Sequence, residues 1–184
     1  GMQIFKSEAF DTMGKILPRA GQIASQISGI YLGLTMICAL SYLALGMGAF
    51  DATVHALTTV STGGFSNYDA SFGTFSGNME YAASFFMILA ALPFVRYVQL
   101  INGHAHPLWQ DSQVRAFVIT ISVLVLVTTT ALTFIFPHHW EKSLREALFN
   151  ITSIISGTGY ASVDYMLWGP FLISLFFFIG LIGG

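Results

Sequence analysis

Three stretches of this chain, residues 20–50, 116–140 and 165–184, contain no Asp, Glu, Lys or Arg. A helix needs about 20 residues to cross a hydrocarbon core about 30 Å thick, so each stretch is of membrane length. Of the 184 residues, 54% are hydrophobic and 9% charged, against about 25% charged in soluble domains, which argues against a water-soluble fold. The formal net charge is −2 and the seven Lys and Arg form no stripe, so no nucleic acid is expected as a partner. Cys38 stands alone in an apolar run and cannot form an internal disulfide.

Four windows read as spans: Ser25 to Gly46, Met79 to Leu100, Val114 to Phe136, and a fourth that begins near Met166 and meets the end of the chain. Gly29 and Gly33 offer the first span a small-residue face for close packing. Pro93 and Arg96 stand near the end of the second, where Arg96 is expected to snorkel to the interface. Lys6, Lys15, Arg19, Arg96 and Arg115 fall on one side of this arrangement, and only Lys142 and Arg145 on the other. The amino-terminal side is therefore expected to be cytoplasmic. The chain reads as an internal piece of a larger multi-pass membrane protein, because it opens without a signal peptide and stops inside a hydrophobic run.

The two connections on the far side each hold a short apolar helix followed by a Gly-rich turn. The first helix is expected over residues 49–60, with Gly48 at its cap and Asp51 near its start. The second is expected over 144–155, with Ser143 and Glu146 at capping-box spacing. Twelve residues make about 18 Å of helix, little more than half the membrane, so each must enter and turn back.

Superposed at an offset of 95, the two connections pair Ser61 with Ser156, Gly64 with Gly159, Phe65 with Tyr160 and Asp69 with Asp164. The architecture is thus span, half-membrane helix, filter-like loop, span, occurring twice, the second copy cut short. The domain reading is a cytoplasmic lead-in over 1–24, a first repeat over 25–100 with its loop at 61–65, a cytoplasmic connection over 101–113, and a second repeat over 114–184 with its loop at 156–160.

Such a unit suits a cation. Moving a bare ion into low dielectric costs on the order of 20 kcal/mol before relaxation, so something must replace its water. Carbonyls of irregular backbone can do so, and such backbone is tolerated at membrane depth only where it lines a cavity or is buried in protein. Gly63, Gly64, Gly157 and Gly159 can take the positive φ that lets successive carbonyls point one way. The carboxyl end of each short helix, bearing roughly half a negative charge, favours a cation at the turn.

The segments Thr-Thr-Val-Ser-Thr-Gly-Gly-Phe-Ser at 58–66 and Ser-Ile-Ile-Ser-Gly-Thr-Gly-Tyr-Ala-Ser at 153–162 resemble the second and third filter loops of the Trk/Ktr family of potassium transporters. The opening Gly-Met-Gln-Ile-Phe and the closing Gly-Leu-Ile-Gly-Gly extend the resemblance over nearly the whole chain. It implies an all-α membrane protein that is half of a potassium-channel-like pseudo-tetramer. The signature glycines would be Gly64 and Gly159, and carbonyls of Ser61, Thr62, Gly63, Ser156, Gly157 and Thr158 would coordinate K⁺. Gly180, Gly183 and Gly184 would open a gating interruption. The loop Ser156-Gly157-Thr158 departs from the threonine run commoner in the family, which bears on selectivity between K⁺ and Na⁺. The resemblance further implies a bacterial inner membrane, the lipid bilayer and two further repeats as partners, a homodimer and a cytosolic nucleotide-binding regulatory subunit. K⁺ is then the cargo, possible coupling to Na⁺ or H⁺ is left open, and no cofactor is expected in this chain.

Phe65 and Tyr160 read as rings that brace their loops, and Asp69 and Asp164 as candidates for an acidic outer mouth. Asp51 and Glu146 read as helix-start residues. His55 reads as a packed polar residue, and His104 with His106 as a poor metal-ligand set. His138 and His139 fit an interfacial belt with Trp140. Two other classes compete: an intramembrane serine enzyme with Ser156 as nucleophile and His138 or His139 as base, and a non-transporting helical scaffold. The first lacks a Gly-x-Ser-x-Gly elbow, and the second leaves the repeat unexplained.

Overall fold

The computed structural model describes residues 20–103, 108, 110–136 and 139–183. Within these, the chain is helical, with α1 (Ala20–Ala44), α2 (Ala49–Val60), α3 (Asn78–Ala91), α4 (Phe94–Ile101), α5 (Ser112–Ile135), α6 (Trp140–Ile155) and α7 (Pro170–Gly183). Short 3₁₀ turns at Ser71–Thr74 and Tyr165–Trp168 follow the two Gly-rich loops. Residues 21–44 and 112–135 are long and apolar enough to cross a membrane, as is the bent pair α3 and α4 if counted as one span. Their outward faces carry Leu32, Met36, Leu40, Ile119 and Leu126, all more than half exposed, an arrangement that lipid rather than water would solvate.

The spans bracket the short helices. Helix α2 packs against α1 and α3, α6 packs against α5 and α7, and α3 against α6 joins the two units. One core gathers Tyr42, Ala52, Ala56, Val60, Phe72 and Met87 and takes in Phe149 and Tyr160 from the second unit. The other is built from Ile121, Val125, Ala147, Ile151, Leu172 and Phe176.

Several sequence expectations need correction. The second span is not continuous: it breaks at Leu92–Pro93, and α3 and α4 meet at 88°. Proline lacks an N–H and forces its predecessor out of the helical region, and Leu92 has ψ 150°. Tyr97 donates to the Leu89 carbonyl at 2.7 Å, satisfying one group freed by the break. Arg96 gains partners that the sequence did not show. Its Nε meets Asp111 at 2.7 Å and its Nη1 meets Gln99 at 2.9 Å. Asp111 in turn caps α5 by accepting from the Gln113 and Val114 N–H groups. Burial raises the Asp111 pKa, but the Arg96 hydrogen bond and the two backbone N–H groups outweigh it and hold the carboxyl below its ordinary value.

Helix α6 starts at Trp140, four residues before the expected start, with His139 rather than Ser143 at its cap. The Ser143 hydroxyl is buried and makes no hydrogen bond, so the capping box does not form. Glu141 supplies the first-turn carboxylate instead and pairs with Arg145 one turn on, at 3.0 Å. Gly29 and Gly33 make no close helix contact, since a Cβ added to either would meet nothing within 4 Å. Both border an open groove between α1 and α4.

Candidate functional site

The two Gly-rich loops leave their helices in the same way. Ser61 caps α2 at φ −78°, ψ −2°, and Ser156 caps α6 at φ −79°, ψ −7°. The next residue turns left-handed in both loops, Thr62 at φ 52° and Gly157 at 73°. The residue two further on does so again, Gly64 at 64° and Gly159 at 84°. Gly63 is not left-handed, so of the four expected glycines three adopt positive φ and Thr62 takes the fourth place. Alternation of right- and left-handed residues lets carbonyls share one direction, which a regular helix or strand cannot do in this way.

The hydrogen bonds repeat at the same offset. Ser61 N–H donates to Leu57 and Ser156 N–H to Thr152, while Gly64 N–H donates to Thr58 and Gly159 N–H to Ser153. Thr58 Oγ1 donates to the Phe65 carbonyl at 2.9 Å, and Ser153 Oγ to the Tyr160 carbonyl at 2.7 Å. His55 and Asn150 are a fourth equivalent pair. His55 Nδ1 contacts the Asp51 carbonyl at 2.8 Å and its Nε2 the Ser66 hydroxyl at 3.0 Å. Asn150 Nδ2 donates to the Glu146 carbonyl at 2.8 Å and to Ser162 Oγ at 3.0 Å. His55 is thus a buried structural group that ties helix to loop, in keeping with its reading as a packed polar residue.

The loops also meet each other. A Cβ on Gly64 would lie 1.9 Å from the Thr158 carbonyl oxygen, so only glycine permits this approach. Farther along, Phe72 N–H donates to the Ala161 carbonyl at 3.0 Å, and Ala161 N–H donates to Ser71 Oγ at 3.2 Å. The Phe72 ring is fully buried between the two short helices, 5.9 Å from His55 and 4.9 Å from Phe149. Tyr160 is buried against α2, whereas its counterpart Phe65 is 75% exposed. A cavity of 680 Å³ touches both loops, lined by Thr62, Ala91, Gln113, Phe117, Ser156 and Ile182.

The remaining candidates sit apart from the loop contacts. Asp164 is exposed and accepts from the Met166 N–H at 3.1 Å, serving the 3₁₀ turn, and Asp69 is exposed. Asp51 accepts from Asn67 at 3.1 Å and from the Tyr68 hydroxyl at 2.8 Å, and these bonds lower its pKa. Glu146 is buried, with Lys142 3.8 Å away. Helix α7 runs unbroken through Gly180, which lies against Ile154 of α6, and as far as Gly183, so no interruption occurs among the described residues. Gly184, His104, His106 and His138 lie outside the described residues. Among the described residues the enzyme reading finds no support. Ser156 Oγ bonds to Thr158 Oγ1 at 2.8 Å, and His139 stands at the opposite end of α6, about 26 Å away at 1.5 Å per residue.

Four residues that hold the short helices and loops together were not anticipated from sequence in that role: Tyr42, Phe72, Glu80 and Arg145. Tyr42 hydroxyl meets Thr59 Oγ1 at 3.0 Å. Glu80 accepts from the Gly77 N–H at 2.8 Å and pairs with Arg145, which binds α6 to α3. Glu80 and Arg145 fall within helices and could have been paired only by asking what neutralises a carboxylate beside a span.

The family model described as "Cation transport protein" and named TrkH matches residues 13–184. The Trk system potassium uptake protein TrkI of Halomonas elongata is 37% identical over 194 residues, and its TrkH counterpart in Vibrio parahaemolyticus is 33% identical over 196 residues. Each alignment covers 100% of this chain but only 38% and 39% of the relative, so the chain spans under two fifths of their length. The crystal structure of the potassium transporter TrkH from Vibrio parahaemolyticus superposes with a TM-score of 0.82 at 30% identity, over 93% of this chain and 39% of that one. This chain belongs to the TrkH family of cation transport proteins.

Proposed function

We propose that the chain contributes half of a potassium-selective filter to a membrane transporter, a cargo that its relatives' names record for them. The observation that carries this reading is the matched left-handed pair in each loop, Thr62 with Gly64 and Gly157 with Gly159, placed at the carboxyl end of a short helix. Carbonyls of Ser61, Thr62, Gly63, Ser156, Gly157 and Thr158 replace part of the hydration shell of K⁺. The helix ends add partial negative charge where the ion sheds water. Tyr160 braces its loop from the core against α2 while Phe65 stands exposed beside its own, and the 680 Å³ cavity beside Thr62 and Ser156 receives the ion.

Two further span, short-helix, loop units complete the ring, a requirement because two loops cannot surround an ion. Asp69 and Asp164 raise cation concentration at the mouth. The segment from Gly180 through Gly183 and Gly184 gates the cavity, and a cytosolic nucleotide-binding subunit controls it. The assembly is a homodimer in a bacterial inner membrane with the amino-terminal side cytoplasmic, transporting K⁺ alone or with Na⁺ or H⁺ and catalysing no reaction.

The test is flux of Rb⁺ and K⁺ into liposomes containing the purified full-length protein. Measurable K⁺ flux that collapses in Gly64→Ala is expected. Absence of K⁺ and Rb⁺ flux in the intact protein, together with unchanged cellular uptake in Gly64→Ala and Gly159→Ala, overturns the proposal.

A further inference from the structure

We infer that the Tyr160 hydroxyl, acting across the boundary between the two repeats, is the positioning group that sets the width of the other repeat's loop and with it the choice between K⁺ and Na⁺. This inference rests on the filter reading. Tyr160 belongs to the second loop, yet its phenol oxygen lies among groups of α2. It bonds to Thr58 Oγ1, sits 3.2 Å from the His55 carbonyl, and is 3.5 Å from Thr59 Oγ1.

Two carbonyls lie within reach of the Thr58 hydroxyl, Phe65 at 2.9 Å and His55 at 3.3 Å, and the nearer one sets the direction of the chain. Thr58 has one hydroxyl proton, and the Phe65 carbonyl at 2.9 Å takes it, as the Tyr160 carbonyl takes the Ser153 proton in the other repeat. With that proton placed, Thr58 Oγ1 accepts from the Tyr160 hydroxyl, which also reaches the His55 carbonyl at 3.2 Å, and the Tyr160 oxygen accepts from Thr59. The result is an unbroken path from the second repeat's ring, through one hydroxyl on α2, to a loop carbonyl in the first. Phe72 packs 5.2 Å from the Tyr160 ring centre and Phe149 6.5 Å from it, so the phenol is anchored in aromatic core rather than free to follow the loop.

On the cavity-size account of selectivity, a carbonyl cage discriminates between ions by how far it resists closing around the smaller one. A tether fixed in the core and ending on the Phe65 carbonyl supplies that resistance. Phe65 occupies the equivalent place in the first repeat but has no hydroxyl to return the tie. The phenol tie therefore runs only from the second repeat to the first.

The experiment measures K⁺ flux and the K⁺ over Na⁺ flux ratio in liposomes containing the full-length protein, as wild type, Tyr160→Phe, Thr58→Val, Thr58→Ser and the Tyr160→Phe/Thr58→Val double variant. K⁺ flux is recorded for every variant, and the K⁺ over Na⁺ ratio is the readout. The ratio is expected to fall about fivefold in Tyr160→Phe and in Thr58→Val, the fold-change equivalent to one neutral hydrogen bond, with no further fall in the double variant. Thr58→Ser, which keeps the hydroxyl, is expected to match wild type. An unchanged ratio in Tyr160→Phe overturns the inference, as do independent losses that add in the double variant. If Tyr160→Phe does not accumulate in the membrane, the Thr58 pair decides, because equal ratios in Val and Ser overturn the tether. Wild-type protein without K⁺ flux overturns the filter reading itself, a result distinct from an unchanged ratio.

Discussion

Thr62 and Gly157 stand at the same place in the two loops, one residue past the helix cap, and both hold left-handed backbone, at φ 52° and 73°. A β-branched residue there is strained, because Cβ crowds the following carbonyl at a cost of about 1–2 kcal/mol. The first loop carries this strain and the second avoids it. The Thr62 hydroxyl reaches the Ser61 carbonyl at 2.7 Å, a local bond that offsets part of the cost. Substituting Gly157→Val is therefore expected to lower stability by about 1–2 kcal/mol, whereas Thr62→Gly leaves it unchanged or higher. Thermal unfolding of the detergent-solubilised protein reads both.

Gly64 and Gly159 align in sequence and share the sign of φ, yet they differ in surroundings. A Cβ at Gly159 meets nothing within 4 Å, and one at Gly64 meets the Thr158 carbonyl at 1.9 Å. Gly159→Ala is expected to cost about 1–2 kcal/mol of backbone strain. Gly64→Ala must also force the two loops apart, so it is expected to lose more stability and nearly all transport. Equal melting temperatures for the two variants would contradict the close approach of the loops.

Glu80 and Arg145 form the main charged tie between α3 and α6, with side chains 2% and 13% exposed. Removing one partner from a buried pair leaves the other charge uncompensated and costs about 3–5 kcal/mol. Arg145→Gln is expected to fall in that range, since it strands Glu80 and also frees Glu141. Adding Glu80→Gln to it should restore much of the loss, because Gln can still accept from the Gly77 N–H and no charge is left buried. Melting curves of the two singles and the double give the coupling energy directly.

Asp111 makes stability depend on pH in a calculable direction. Its carboxyl titrates below the ordinary value of 3.8 in the folded protein, so folding favours the ionised form. The stabilisation is fully present above that ordinary value and is lost as pH falls through the lower folded one. Asp111→Asn retains a capping side chain and removes only the charge facing Arg96, at an expected cost of about 1 kcal/mol. The gap in melting temperature between wild type and Asp111→Asn should hold steady from neutral pH down to about pH 5 and close below about pH 4.

Much of this architecture was legible in the residues themselves. Charge-free runs of membrane length, a 12-residue apolar helix after Gly48 and the paired Ser61 and Ser156 are local or periodic features, and each follows from desolvation or from backbone freedom within a few residues. The break at Pro93 was visible as a residue but not as an 88° bend, because the angle depends on what α4 packs against once its helix ends. The early start of α6 was equally hidden, since Glu141 and Arg145 matter to it only when Tyr81 and Glu80 of α3 stand beside them.

What the sequence by itself determined is that this chain dwells in a membrane and twice presents irregular backbone at the end of a short helix, because apolar length and glycine spacing act on neighbours in the chain. What only the tertiary structure decided is which groups hold those loops in shape. Tyr160 is 102 residues from Thr58, and Phe72 must find a place between two helices that differ in origin. Contacts of that kind carry no periodic signal. They exist because burial leaves a hydroxyl or a ring with one partner within reach, and that partner is chosen by packing rather than by position in the chain.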